Sequence, residues 1–203
     1  MKVKEAIKIF NQCIGDYHRV DSVEASPDNP YPSGSIEYLL YEKSWIDNLQ
    51  WHLEDIIRDP KIDAAKALEI KRRIDQYNQR RTDIVESIDD WFLEQYKNVK
   101  ADPAAELNTE TPAWALDRLS ILELKIFHMK IEADREDAAP GHRETCRTKL
   151  SVLQSQESDL ERSIRQLVDD IASGKKYMKV YRQMKMYNDE SLNPVLYQQK
   201  DKK

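Results

Sequence analysis

The sequence predicts an all-α fold: an antiparallel bundle of four long helices, with short flanking helices at both termini. Three observations lead there. Charged residues make up 34% of the chain and glycine occurs only 4 times, a mix that favours long, charged helices. Apolar residues recur at helical spacing over several extended stretches. Capping and stop residues stand at the ends of those stretches. At 203 residues the chain suits one domain with a sizeable core. The bundle is expected over residues 1–174. A basic helix and irregular tail, 175–203, is expected to dock on the same domain.

Residues 2–18 read as a first helix, with Val3, Ile7, Phe10 and Ile14 on one face and Cys13 beside it. SPDNPYPSGS then breaks the pattern with three prolines and a glycine, so residues 19–35 form a loop. Ser35 can cap a helix running from Ile36 to Asp59. Its core stripe is Leu39, Ile46, Leu49, Leu53 and Ile56, and Pro60 ends it. Asp63 caps the longest helix, which reaches about Asn98 and runs antiparallel to the one before. Thr111-Pro112 is the next start, a capping hydroxyl followed by proline at the first helical position. That helix is apolar around most of its circumference, including Ala115, Leu119, Leu122, Ile126 and Met129. Such a pattern means burial on several sides and a place near the centre of the bundle. Pro140-Gly141 marks a turn. From His142 to Ser173 the heptad Cys146, Leu150, Leu153, Glu157, Leu160, Ile164, Leu167, Ile171 is interrupted only by Glu157. Gly174 is the expected C-terminal cap.

Polar residues inside apolar stripes set the functional question. The longest helix carries Ile70, Ile74, Tyr77, Ile84, Ile88 and Trp91 on one face, and Arg81 interrupts them with Asn78 beside it. Burying such groups unpaired is costly. The plain expectation is that Arg81 pairs with Glu157, or with core groups such as Glu42 and Asn78. The sharper one is a polar pocket between helices at the level of Arg81, lined by Glu42, Asn78, Arg81 and His128. His52 and Asp55 lie nearby on the preceding helix. The candidate binding residues are thus His52, Asp55, Asn78, Arg81, His128 and Glu157.

Metal chemistry finds little footing in the sequence. Acid clusters Glu54/Asp55 and Glu86/Asp89 would suit magnesium if antiparallel helices brought them together. Only Glu86-x-x-Asp89 matches half of the paired motif of all-helical nucleotide pyrophosphatases. Glu54 and Asp55 are adjacent and face different ways. No histidine is preceded at three residues by a glutamate, which removes the di-iron bundle pattern. No cofactor and no metal centre is therefore expected, apart from magnesium under the phosphohydrolase reading. No nucleophile signature and no glycine-rich phosphate loop occurs.

Acid exceeds base by 5, which argues against a nucleic-acid partner. Two cysteines are too few for a disulfide framework, so free thiols in a reducing cytoplasm are expected. No apolar run spans a membrane, and MKVKEAIKIFNQC has no signal-peptide core. Residues 175–185 carry Lys175, Lys176, Lys179, Arg182 and Lys185 without an acid, interleaved with Tyr177, Met178, Tyr181 and Met184. This reads as a short basic helix packing its Tyr and Met residues on the bundle, or offering them to a protein partner. The long charged helices also permit a homo-oligomer.

Four strings, NPYPSGSIEYLLYEKSWIDNLQWHLEDIIRDP, KRRIDQYNQRRTDIVESID, LNTETPAWALDRLSILELKIFHM and YRQMKMYNDESLNPVLY, together resemble a bacterial family of unknown function. Its members are all-helical, about as long as this chain, of Bacteroidetes type, and often encoded near glycosyltransferases. The resemblance implies a single intact domain and a role in cell-surface polysaccharide production, and no residue roles. The leading expectation is thus an accessory or interaction protein acting through its loop or tail. A binder or enzyme for a small anion or sugar nucleotide in the Arg81 pocket is the alternative. Magnesium-dependent nucleotide phosphohydrolysis is the third.

Overall fold

A computed structural model describes residues 2–184, 186 and 189–198. The chain is all-α, with five long helices: α1 (Val3–Val20), α2 (Ile36–Ile57), α3 (Ala64–Tyr96), α4 (Pro112–Asp134) and α5 (Pro140–Ala172). Two three-residue strands, β1 (Glu106–Asn108) and β2 (Lys176–Met178), pair in parallel, and a single turn, α6 (Pro194–Tyr197), lies near the end. The expected caps are in place. Ser35 Oγ accepts from Tyr38 N at 3.1 Å, Asp63 Oδ1 from Ala65 N and Lys66 N, and Thr111 Oγ1 from Trp114 N. Each satisfies N–H groups that have no partner inside the helix.

α1 is a full member of the bundle and runs parallel to α2. Cys13 reaches Tyr41, and Tyr17 lies against Trp45 and His52. The loop 21–35 allows this by carrying the chain back along the bundle before α2 begins. α4 also runs parallel to both: Asn11 meets Glu123, Lys43 meets Asp117, and Trp51 meets His128. α3 and α5 run the other way: Gln50 meets Asn78 while Glu42 meets Arg80, and Glu161 of α5 lies near Lys4 while Glu157 faces Glu123, the partner of Asn11.

α4 touches all four other long helices, as its apolar circumference predicts. α2 is enclosed by α1, α3 and α4, which its sequence stripe did not suggest. Every residue from Leu40 to Leu49 is buried, including Glu42, Lys43, Ser44, Asp47 and Asn48. The main core joins Phe10, Tyr17, Tyr41, Trp45, Val85, Phe92, Leu116 and Leu119. A smaller cluster of Leu53, Ile70 and Ile74 closes the α2–α3 turn.

The basic segment is corrected. Residues 176–178 form β2, and no helix appears from 179 to 184. Gly174 does cap α5: at φ +75° it lets Lys175 N donate to Asp170 O and its own N–H donate to Ile171 O, the paired bonds of a Schellman ending. Met178 packs on the core, and Arg182 bonds Glu86 and Asp90 of α3. Tyr181 and Met184 are exposed rather than packed. Lys185 lies outside the described residues.

Candidate functional site

Where α2, α3 and α4 cross, four charges meet, three of them out of water. Lys43, Asp47 and Asp117 are almost wholly buried, and Arg81 reaches in from α3. Lys43 Nζ donates to Asp47, lies 3.0 Å from Asp117 Oδ1, and donates to the Asp117 carbonyl at 3.1 Å. Arg81 grips Asp117 with both arms, Nε donating to Oδ1 at 2.7 Å and Nη2 to Oδ2. Ser120 Oγ donates to Asp47 at 2.6 Å. Burial alone would raise the Asp117 carboxyl, but Lys43 and Arg81 outweigh it and hold it below its usual range. Burial wins at Asp47, whose carboxyl is raised against the pull of Lys43. Two cations and two anions thus close on each other.

Arg81 does not pair with Glu157. Glu157 belongs to α5 and acts on Glu123, on another side of α4. The sequence found the interrupted stripe and missed the partners. The missed signal is local: Lys43 and Asp47 stand four apart on a helix buried all round, and Asp117, Ser120 and Glu123 step by three along the other. Glu42 turns outward to Arg80 at 2.7 Å and takes no part.

This network floors a cleft of about 340 Å³ that opens between α2, α3 and α4, within the size range of small-molecule sites. Asp47, Gln50, Trp51, Asp55, Asn78 and Arg81 are among its lining residues. Of the expected binding residues, Asp55, Asn78 and Arg81 meet here. His52, His128 and Glu157 do not line it. His128 lies about three turns beyond Asp117 along α4, so the expectation that it matches Arg81 in height fails. Gln50 Nε2 donates to Asn78 Oδ1 at 2.8 Å, and Arg58 pairs with Glu54 at 2.6 Å. A roomier hollow of about 570 Å³ on the α4–α5 seam has no buried polar residue in its lining.

His52 and His128 come together elsewhere, with His18, which no sequence pattern singles out. One ring nitrogen from each lies within 4.8 Å of the other two. His18 Nε2 and His52 Nε2 are 3.4 Å apart. His18 Nδ1 is 2.7 Å from the Ile14 carbonyl; a carbonyl only accepts, so Nδ1 carries the proton and Nε2 the lone pair. His128 lies flat on Trp51, with ring centres 4.6 Å apart and planes 2° from parallel. Its Nε2 is buried with no hydrogen-bond partner among the described residues. Burial, with His18 and His52 adding to it, pushes His128 down to about 4. Burial also lowers His52, against the pull of Asp21 and Asp55. The trio was hard to foresee because it depends on α1, α2 and α4 running parallel.

The magnesium set does not assemble. Glu54 and Asp55 sit near the α2–α3 turn, while Glu86 lies far along α3, where Arg182 engages it. Asp89 is buried and raised to about 6 by burial, against a bond from Thr111. Burial raises the Cys13 thiol, and its Sγ donates to the Tyr41 carbonyl. Cys146 and Glu132 both approach the same nitrogen of His142, Nε2, which rules out a relay across that ring.

No helix among the described residues is long and apolar enough to cross a membrane. No curated protein and no solved structure matches the chain significantly. A family model described as "Protein of unknown function (DUF4254)" matches residues 37–180. That span runs from the first turn of α2 past β2, and so includes the charge network, the cleft and two of the three clustered histidines. The chain belongs to this DUF4254 family.

Proposed function

We propose that the protein binds a small, uncharged, hydroxyl-rich ligand of the saccharide class in the cleft between α2, α3 and α4. The supporting observation is the charge balance. Lys43 and Arg81 are matched by Asp47 and Asp117, and Arg58 by Glu54, which leaves Asp55 as the unpaired charge of the group among the described residues. Such a cleft repels a phosphate and suits a polyol. Asn78 and Gln50 supply amides, Asp55 an acceptor for hydroxyl donors, and Trp51 an apolar flank. This reading replaces the small anion or sugar nucleotide expected for the Arg81 pocket with a neutral sugar. This chemistry fits a part in surface-polysaccharide production, the role that the resemblance implies. A reducing cytoplasm is consistent with both cysteines being free. The accessory reading has less to draw on, since Arg182 of the tail and Tyr31 of the loop already bond within the chain.

Isothermal titration of the full chain with neutral mono- and disaccharides, inorganic phosphate and nucleoside diphosphates tests this. Saturable heat is expected from a neutral sugar, weakened about tenfold, or 1.4 kcal/mol, by Trp51→Ala or Asn78→Ala. A response to phosphates alone would return the pocket to the anion reading.

A further inference from the structure

We propose that His18, His52 and His128 form a binding site for a divalent first-row transition metal, zinc foremost, with a fourth position left open. The site is separate from the saccharide cleft and does not rest on it. Zinc holds imidazole nitrogens at about 2.0–2.1 Å in a tetrahedron, which places them about 3.3–3.4 Å from one another. His18 Nε2 and His52 Nε2 are already 3.4 Å apart, and the His128 nitrogen is within 4.8 Å of both. A modest shift of one ring completes the set.

Three further features match what a metal requires. The His18 Nδ1–H bond to the Ile14 carbonyl fixes the ring and aims the Nε2 lone pair at His52 Nε2, so that an ion between them would take the place of the bridging proton; such a bond is the usual outer support of a ligating histidine. The buried Nε2 of His128 lacks a partner among the described residues, a cost that an ion or a solvent molecule would relieve. His18 also stands in the last turn of α1, where exposed carbonyls favour a cation. Tyr17 and Phe127 pack against the imidazoles, so the ligands are held by rigid helices rather than loops. Nitrogen donors without thiolate or a carboxylate cluster select zinc, cobalt or nickel over magnesium or calcium. Three protein ligands leave one tetrahedral position for water or an exogenous group, the arrangement of open rather than purely structural zinc sites.

The test uses the full chain, stripped with a chelator and titrated with zinc chloride, then with cobalt chloride. One equivalent of zinc is expected to bind, and to raise the melting midpoint by about 5 °C or more when free zinc exceeds Kd a hundredfold. Cobalt is expected to give the intense visible bands of a tetrahedral site. His18→Gln, His52→Gln and His128→Gln should each weaken zinc about tenfold or more, while His142→Gln, which alters the remaining histidine, leaves it unchanged. Circular dichroism and the metal-free midpoint show whether each variant is folded. If a variant fails to fold, the cobalt spectrum of the unaltered chain decides. Octahedral or absent cobalt bands, equal zinc affinity in the folded variants, or loss only with His142→Gln would overturn the site. The trio would then be an aromatic contact alone.

Discussion

At the scale of single residues, the buried charges make the sharpest predictions. Asp117 takes both arms of Arg81 and the ammonium of Lys43. Asp117→Ala leaves two cations around one carboxylate, and such breaks cost about 3–5 kcal/mol. The loss should appear as a lower urea midpoint with an unchanged slope. Replacing Arg81 by Met and Asp117 by Leu together removes one charge of each sign and keeps Lys43 with Asp47. That double variant should recover most of the loss. Glu123 makes a pH prediction. Burial, helped by Glu157, raises its carboxyl to about 7, while Asn11 Nδ2 donates to it at 2.8 Å. Below the usual glutamate range the folded and unfolded chains are both protonated there, and no penalty arises. As pH rises the unfolded chain ionises first, so stability falls until about pH 7 and then stays down. Glu123→Gln should therefore stabilise by roughly 2–3 kcal/mol at pH 8 and have little effect at pH 4, read from denaturation at both values. The interruption at Arg81 was legible in the sequence because one charge broke a regular stripe. Its partners were harder to read, because α2 is buried without a break from Leu40 to Leu49 and Asp117 stands next to exposed Arg118, so only the spacing of the charges marks them as inward.

At the scale of elements, helix ends were the most legible feature. Ser35, Asp63 and Thr111 act through short-range bonds that sequence spacing fixes. Gly174 was readable for the same reason. It also has a tertiary role, because a Cβ there would meet the Lys100 carbonyl oxygen at 2.5 Å. Asp102 N donates to the Gly174 carbonyl at 2.9 Å in the same crossing. Gly174→Ala is predicted to lower stability by about 1–3 kcal/mol through clash and left-handed strain, measured by thermal melting. The basic segment misled because its alternation of lysine with Tyr and Met fits a helix locally. Its actual partner, β1, lies some seventy residues earlier, and pairing at that range leaves no local trace.

At the scale of the whole molecule, helix direction decides which residues meet. A simple up-and-down order would set α1 antiparallel to α2, and α1 departs from it by lying parallel. His128 misses Arg81 because residues 97–111 return the chain along α3, so that α4 begins beside Asp89 and Arg81 meets Asp117; the direction of α1 assembles the histidines. It also makes the bundle one of five long helices, of which α2 and α4 are both interior. The tail contributes less. Arg182 is an exposed contact, and Tyr181 and Met184 face solvent. Ending the chain after Lys179, which keeps β2, should move the melting midpoint by no more than about 2 °C. Ending it at Gly174 removes β2 and should lower the midpoint further.

Trp51 lines the cleft on one side and lies flat on His128 on the other. Indole emission responds to whatever rests on the ring. The difference in fluorescence between the native chain and Trp51→Phe is therefore an internal gauge of this residue, readable without any added dye. A sugar on one flank and a metal on the other would each alter its brightness or colour, and titrating one in the presence of the other would reveal whether the two chambers communicate.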